Sequence, residues 1–191
     1  MSAVTTPESP PRGRLWVKAL LIALCGLTAA MWIYYFVFAS DQGVYQLQDE
    51  QWRLKAAPIC QAAQEERAAL ADTGEGYIEN PTVEQMRQRA DIVLTATDIL
   101  EQMLDDIVAI PVDNDRDRQL LEVFDEHYRM VLADRRRYAA SLQAGTLVSY
   151  TETVVVGGPV SNVVLDFTAG VKGNDVPSCS PPGELGGDIQ P

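Results

Sequence analysis

Cysteine is the residue type in this sequence with the clearest chemistry, and its three copies lie far apart. Cys25 falls in an uncharged run near the N-terminus, whereas Cys60 and Cys179 fall in the polar remainder of the chain. Two such thiols oxidise to a disulfide outside the cytoplasm, and we predict a Cys60–Cys179 bond. A bond to another molecule and a pair of free thiols are the alternatives.

The remaining residue types give little support for catalysis. The single histidine, His127, excludes two-histidine zinc sites, and Phe124 stands where the Glu-x-x-His motif of di-iron proteins has glutamate. No catalytic signature accompanies His127 that would make it a base for a hydroxyl such as Ser141. Carboxylate pairs such as Asp105 and Asp106 are ordinary on a solvated surface. We expect no enzyme, no catalytic residue, no cofactor and no metal.

Three aspartates imitate the start of a calcium-binding loop. Asp113, Asp115 and Asp117 have its alternating spacing. Arg118 occupies the sixth position, where glycine is needed, and Phe124 occupies the twelfth, where glutamate is needed. The cluster therefore predicts helix capping rather than a metal site.

The segment that decides where the cysteines lie is an uncharged run from Ala19 to Ala39. As a helix it is about 32 Å long, which matches the hydrocarbon thickness of a bilayer. We predict a transmembrane helix over residues 15–40, in contact with the lipid bilayer. A cleaved secretory signal and a lipoprotein signal ending at Cys25 are the alternatives. The run is longer than a signal core, and Leu24 stands where a lipoprotein signal has a small residue.

Charge on the two sides of this run predicts its orientation. Arg12, Arg14 and Lys18 precede it and Asp41 follows it, and positive flanks mark the cytoplasmic side. Residues 1–14 then form a disordered cytoplasmic tail, and the chain from residue 41 onward is extracytoplasmic. The whole chain has a net charge of −12, and because residues 1–18 carry +2, the exported part carries −14. This excess of negative charge excludes nucleic acid as a partner.

Small side chains mark one face of the predicted transmembrane helix. Ala19, Ala23, Gly26 and Ala30 are four, three and four residues apart, so they share a face that another helix can approach closely. We expect a membrane protein partner or a second copy of the chain to pack there. A chance stripe in an alanine-rich helix is the alternative.

After the anchor, residues 41–57 contain helix-forming residues and are predicted to form a stalk. Pro58 should break that stalk and begin a new helix that ends near Asp72. Asn80 followed by Pro81 predicts the start of the next helix.

Two long apolar stripes follow, at steps of three and four residues. They comprise Val83, Met86, Ala90, Val93, Thr97, Leu100, Leu104 and Ile107 in the first helix, and Leu121, Phe124, Tyr128, Val131, Tyr138 and Leu142 in the second. Asp113 or Asn114 caps the second helix, and Gly145 ends it. Arg135 interrupts its stripe, either as a buried ionic contact or with its charge at the rim. Residues 58–145 are therefore predicted to form an antiparallel three-helix bundle.

The sequence changes character beyond residue 145. Thr146 to Val156 is rich in β-branched residues and predicts extended chain, and the end from Pro177 to Pro191 is rich in Pro and Gly. Residues 160–169 fit both a helix face and a strand, and both readings stay open. The predicted fold class is mainly α, with one N-terminal transmembrane helix, a helical bundle, and residues 146–191 packed on that bundle and tethered by the disulfide.

Three short motifs lie along the exported part. They are Pro58-Ile59-Cys60, Arg137-Tyr138, and the closing set of Asn174, Pro177 and Cys179. Together with a preference for Arg over Lys, twelve against three, they resemble membrane-anchored proteins of high-GC Gram-positive (actinobacterial) type that have no assigned activity. The resemblance implies a location in the cell envelope and carries over no catalytic residue.

These observations predict a non-enzymatic interaction protein, an accessory or scaffold subunit of a cell-envelope membrane complex. The alternative is an extracytoplasmic domain that binds a lipid or cell-wall component in a groove between the helices and the Val-rich C-terminal segment. A binding domain needs a concave site, whereas a subunit needs an exposed apolar patch.

Overall fold

The computed structural model describes residues 12–38, 44–70, 80–155 and 157–182. Within these ranges the chain is mainly helical. The helices are α1 (Arg12–Phe38), α2 (Glu50–Leu70), α3 (Val83–Val108), α4 (Asp115–Gln143) and α5 (Val160–Thr168), with two short strands, β1 (Val154–Val155) and β2 (Gly158–Pro159), and a 3-10 turn at Pro177–Cys179. The chain divides into two compact units, residues 1–41 and residues 42–191.

Helix α1 is the main element of the first unit. Its segment Trp16–Tyr34 is long and apolar enough to cross a membrane, and its side chains are exposed. The helix begins at Arg12, inside the predicted tail of residues 1–14. The rest of that tail, residues 1–11, lies outside the described residues, as do residues 39 and 40 at the end of the predicted anchor.

Helices α3 and α4 pack through the two apolar stripes. Every stripe residue predicted from the sequence is buried except Val83, which lies in the exposed first turn of α3. Ion pairs border this contact: Arg129 Nη2 lies 2.7 Å from Asp105 Oδ1, and Arg136 Nη2 lies 2.7 Å from Glu101 Oε2. Later residues of α4 therefore meet earlier residues of α3, and the two helices run in opposite directions.

The helix ends follow capping chemistry. Thr82 Oγ1 accepts a hydrogen bond from the Gln85 amide at 3.2 Å, and Gln85 Oε1 accepts one from the Thr82 amide at 2.9 Å. This reciprocal box satisfies two amides at once, so α3 begins after Thr82 and the predicted cap at Asn80 is wrong. Asn114 caps α4, and Gly145 ends it with a positive φ of 73°.

Helix α2 runs through Pro58, so the predicted break there is wrong. Trp52, Ala56 and Cys60 lie buried on one face of α2, and Trp52 Nε1 donates to the Ile107 carbonyl at 3.0 Å. These contacts cross the proline and outweigh its cost of about 3 kcal/mol in a helix interior.

Residues 44–57 are not a stalk, which corrects a second prediction. Leu47 is buried in the core of the second unit together with Trp52 and Ala56. Leu47 N also donates to Asn174 Oδ1 at 2.8 Å. The second unit therefore begins its packing well before residue 58.

The predicted disulfide is present. Cys60 and Cys179 are joined with their Cα atoms 4.8 Å apart, and neither residue is exposed to solvent. The bond joins α2 to the 3-10 turn over a sequence separation of 119 residues. It fixes the end of the described chain to the first helix of the second unit.

Asp117 lies in the first turn of α4, after the cap Asn114, and its carboxylate binds backbone amides. Its fully buried Oδ2 accepts hydrogen bonds from the amides of Gln48 and Asp49, at 2.8 and 2.9 Å, and from Asn114 Nδ2 at 2.9 Å. Burial alone would raise the pKa of Asp117, but these hydrogen bonds outweigh it and hold the pKa below its usual value. One carboxylate therefore ties the chain before α2 to the first turn of α4.

The C-terminal part settles the open reading of residues 160–169 as helix. Val160, Val164 and Phe167 are buried on one face of α5. The Phe167 ring stacks on that of Phe124, with centroids 4.2 Å apart, and meets the Trp52 ring edge-on at 5.8 Å. In the described chain between α4 and α5, regular strand is limited to β1 and β2, which pair in antiparallel fashion.

Removing the disulfide tests how much it stabilises the second unit. Replacement of both Cys60 and Cys179 by Ala should lower the free energy of unfolding by about 4 kcal/mol, because a long loop is released in the unfolded chain. Denaturant unfolding of the full chain in detergent measures this, with Cys25→Ala as the control. A loss no larger than that of the control would contradict the role of the bond.

Replacing Asp117 by Asn tests the buried carboxylate. Because its pKa is lowered in the folded chain, the stability it supplies is complete above about pH 4 and is lost as the pH falls further. Asp117→Asn should cost about 1–3 kcal/mol at neutral pH and flatten the acid limb of a stability–pH profile. Asp115→Asn changes an exposed carboxylate in the same turn, and an equal effect of the two variants would refute the assignment.

Candidate functional site

The residues predicted to pack in the membrane all lie on α1. Ala19, Ala23, Gly26 and Ala30 fall on one face of the continuous helix, and a Cβ placed on Gly26 meets nothing within 4 Å. All the described side chains of α1 from Trp16 to Tyr34 are exposed, so this face is as open as the others. That a partner packs there stays a prediction.

A cleft lies at the connection between α3 and α4. Its volume is about 530 Å³. Apolar side chains form its wall and charged ones its rim: Val108, Ile110, Val112 and Leu121, with Arg118, Glu122 and Asp125. This is not the place where the sequence suggested a groove, because the Val-rich C-terminal segment does not line it.

The charged residue in the α4 stripe, Arg135, is buried rather than at the rim. Only 2% of it is exposed, and its Nε donates to Thr97 Oγ1 at 3.0 Å. The preceding carboxylate, Asp134, binds Thr153 and Arg137 instead. Among the described residues no carboxylate forms an ion pair with Arg135, so the ionic contact that the sequence allowed is not seen there.

Two further polar side chains lie beside Arg135. Tyr128, one helical heptad earlier on α4, is fully buried, and its hydroxyl has no hydrogen-bond partner among the described residues. Arg67, near the end of α2, is half-buried and donates from Nε to the Ala63 carbonyl at 3.3 Å. Arg67 interacts electrostatically with both Tyr128 and Arg135, so the three groups form an electrostatic cluster drawn from two helices.

Burial dominates the electrostatics of this cluster. It lowers the pKa of Arg135 to about 10, lowers the pKa of Arg67 and raises the pKa of the Tyr128 hydroxyl. Each shift disfavours the charged form, and the like charges of Arg67 and Arg135 add to the effect on Arg135. At neutral pH both guanidinium groups remain charged, so the cluster is a concentration of positive charge inside an acidic chain.

The chain beyond α4 adds an aromatic residue, Tyr150, to the cluster. Tyr150 is half-buried and meets the Tyr138 ring edge-on, with centroids 5.7 Å apart. It also interacts with Arg135, and burial, with Glu152, raises its pKa to about 12. The half-buried groups Tyr150 and Arg67 are the members of the cluster that reach solvent.

Sequence reasoning did not find this cluster. Tyr128 and Arg135 share a helix face, but Tyr128 was assigned to the apolar core and the position of Arg135 was left open. Arg67 stands in a polar stretch of α2 that carried no signal. The one signal in the sequence was Arg135, a strong base at a position where the stripe of α4 otherwise has core residues.

Metal chemistry gains no support from the described side chains. In the parts of the chain that the structure describes, no three His, Cys, Asp or Glu residues are grouped to hold a metal ion. The Nδ1 atom of His127 lies 2.6 Å from the Val123 carbonyl oxygen of its own helix. This contact engages the Nδ1 atom of His127 within its own helix.

Replacing Arg135 by Met tests whether the buried charge is costly. A methionine of similar length continues the apolar stripe and removes an uncompensated charge, so the free energy of unfolding should rise by about 1–3 kcal/mol. Arg87→Met on the exposed side of α3 is the matched control and should change little. Destabilisation by Arg135→Met beyond the control would show that the charge stabilises the fold.

Comparison with known proteins adds no family to this description. No protein-family model, curated protein or solved structure matches the chain. The function is therefore argued from the chain's own residues.

Proposed function

We propose that this chain is a non-enzymatic interaction protein, anchored in the cell membrane by α1, that serves as an accessory or scaffold subunit of a cell-envelope complex. One observation carries the proposal: a helix apolar enough to cross a membrane precedes a unit closed by a buried disulfide. Disulfides persist outside the cytoplasm. The combination is typical of a single-pass protein whose soluble part is exported.

The charges that flank α1 support the orientation. Arg12, Arg14 and Lys18 lie on its N-terminal side and Asp41 follows it, which favours a cytoplasmic N-terminus. The unit from residue 42 onward is then extracytoplasmic, where Cys60 and Cys179 can oxidise. Charge and redox chemistry thus favour the same topology by independent routes.

The exported unit suits a scaffold. Helices α3 and α4 run in opposite directions, and Trp52 of α2 donates to α3, from which we infer an antiparallel three-helix bundle with α5 and the tail packed against it. Such a bundle is rigid and presents exposed polar surface. The small residues of α1 are the contact we propose for a membrane partner or for a second copy of the chain.

A second candidate function is supported by the cluster of Arg67, Arg135 and Tyr128. An extracytoplasmic domain that binds a lipid or cell-wall component needs a polar site in a packed core, and both classes of ligand carry anionic groups. Arg135, which is buried without a carboxylate partner among the described residues, is the feature that such a ligand would explain. The two functions are compatible in one chain.

Enlarging the small-residue face tests the proposed membrane contact. The double variant Gly26→Ile and Ala30→Ile should remove the partner or self-association, because larger side chains keep a second backbone away. The full chain is purified in mild detergent, and retained proteins and crosslinked dimers are quantified by mass spectrometry. We expect about a tenfold loss relative to wild type, equivalent to about 1.4 kcal/mol.

The control places two changes to isoleucine on the opposite face of α1, as Leu21→Ile and Thr28→Ile. These side chains lie about half a turn away from Gly26 and Ala30, so association should persist. Equal retention in the two double variants would refute a contact on the small-residue face.

A further inference from the structure

The loop that follows α5, residues 169–175, is fixed to the start of the second unit. Asn174 is only 6% exposed. Its Oδ1 accepts a hydrogen bond from the Leu47 amide at 2.8 Å, and its Nδ2 donates to the Tyr45 carbonyl at 3.0 Å. A buried side-chain amide that is satisfied in this way holds the segments on either side of it together. Residues 169–175, the α5 loop, therefore lie beside the residues with which the described part of the second unit begins.

The α5 loop has a tightly packed backbone. A Cβ placed on Gly170 or on Gly173 would lie 2.5 Å from the Asp166 carbonyl oxygen, so both positions need glycine. The Gly173 amide donates to the Gly170 carbonyl at 2.8 Å, and the Asn174 amide donates to the Phe167 carbonyl at 2.9 Å. These bonds turn the chain back on the end of α5 and fix the position of the two residues between the glycines.

Those two residues form a tip that is both apolar and cationic. Val171 is fully exposed and so takes no part in the core, and Lys172 beside it is also exposed. Val44, which precedes Tyr45 in the chain, is 78% exposed. One exposed valine is ordinary on a protein surface, but these two belong to segments that Asn174 binds together. Covering them with an apolar medium would be favourable.

The length of chain before Val44 indicates what covers them. Residues 39–43 separate Val44 from the end of α1 at Phe38, and six Cα steps can span at most about 22 Å. With α1 across a bilayer, as proposed above, the start of the second unit and the α5 loop bound to it remain near the membrane surface. A valine beside a lysine suits that surface, because the apolar side chain enters the boundary of the acyl chains while the ammonium group reaches lipid phosphate.

We propose that Val171 and Lys172, at the tip of the α5 loop, contact the membrane surface on the C-terminal side of α1. The bilayer, rather than a partner protein, is what covers this tip. The inference rests on the proposed function in one respect, the passage of α1 through the membrane. It deepens that function by giving the exported unit a contact of its own with lipid headgroups.

Fluorescence quenching in nanodiscs tests the contact. A fluorophore is attached to the thiol of Val171→Cys in a Cys25→Ala background, and the full chain is reconstituted in phosphatidylcholine that carries a nitroxide on its headgroup. The matched control is Val154→Cys. Val154 is an exposed valine near the start of α5, since the Val160 amide donates to the neighbouring Thr153 carbonyl at 2.9 Å.

The two labels lie at opposite ends of α5, a helix about 13 Å long. The label at position 171 should be quenched at least about twofold more strongly than the label at position 154, because a side chain at the interface lies among the headgroups. Equal quenching at the two positions, or none at position 171, would overturn the proposal. A tip that contacts a partner protein would give the second result, since no partner is present in the nanodisc.

The native thiol of Cys25 separates a failure of this contact from a failure of the anchor. Cys25 is exposed on α1, whereas Cys60 and Cys179 are joined in the disulfide and do not react. In the wild-type chain, a fluorophore on Cys25 should be quenched by a nitroxide on the acyl chains. Quenching at Cys25 without quenching at position 171 would refute the loop contact and leave the anchor standing. No quenching at Cys25 would contradict the anchor and the loop contact together.

Reversing the charge at the tip tests the part assigned to Lys172. Lys172→Glu should lower the quenching of the label at position 171, because a carboxylate is repelled by lipid phosphate. Lys55→Glu makes the same change of charge at an exposed lysine of α2 and should leave that quenching as it was. An equal loss in the two variants would assign the effect to net charge and contradict a contact by Lys172.

Discussion

The Cys60–Cys179 disulfide is the constraint on which the second unit depends most. It closes a sequence separation of 119 residues and holds the 3-10 turn that follows α5 against α2, so this turn cannot leave the core without carrying α2 with it. Both cysteines are fully buried among apolar side chains. The same bond carries information about compartment, because a structural disulfide is typical of proteins that fold outside the cytoplasm.

Besides the disulfide, buried polar side chains hold the elements of the second unit together through hydrogen bonds. Asp117 binds the amides that precede α2, Asn174 binds the backbone of Leu47 and Phe167, and Asp134 accepts from the Thr153 amide. Each of these three satisfies backbone groups that a loop would otherwise leave unpaired in the interior. Arg135 differs from them, since among the described residues it binds a side-chain hydroxyl, that of Thr97, and no backbone group.

Regular periodicity made much of this fold predictable from the sequence. The stripes of α3 and α4, the uncharged run of α1 and the pairing of the only two cysteines outside that run follow from local pattern or composition. The predicted break at Pro58 was wrong because the penalty for proline is a local effect. The burial of Trp52 and Cys60, which outweighs that penalty, depends on tertiary contacts that local sequence does not show. The site was not predictable for the same reason, since Arg67 is distant in sequence from Tyr128 and Arg135 and meets them only after folding.

The central claim is that α1 spans a membrane and delivers a disulfide-closed domain to its outer side. The chain has three lysines, Lys18 before the uncharged run and Lys55 and Lys172 after it, and all three side chains are exposed. An amine-reactive reagent that does not cross membranes is applied to intact cells, with permeabilised cells as the control, and labelled lysines are identified by mass spectrometry. Our account predicts labelling of Lys55 and Lys172 in intact cells and of Lys18 only after permeabilisation. Labelling of Lys18 in intact cells while Lys55 and Lys172 stay unmodified would contradict it.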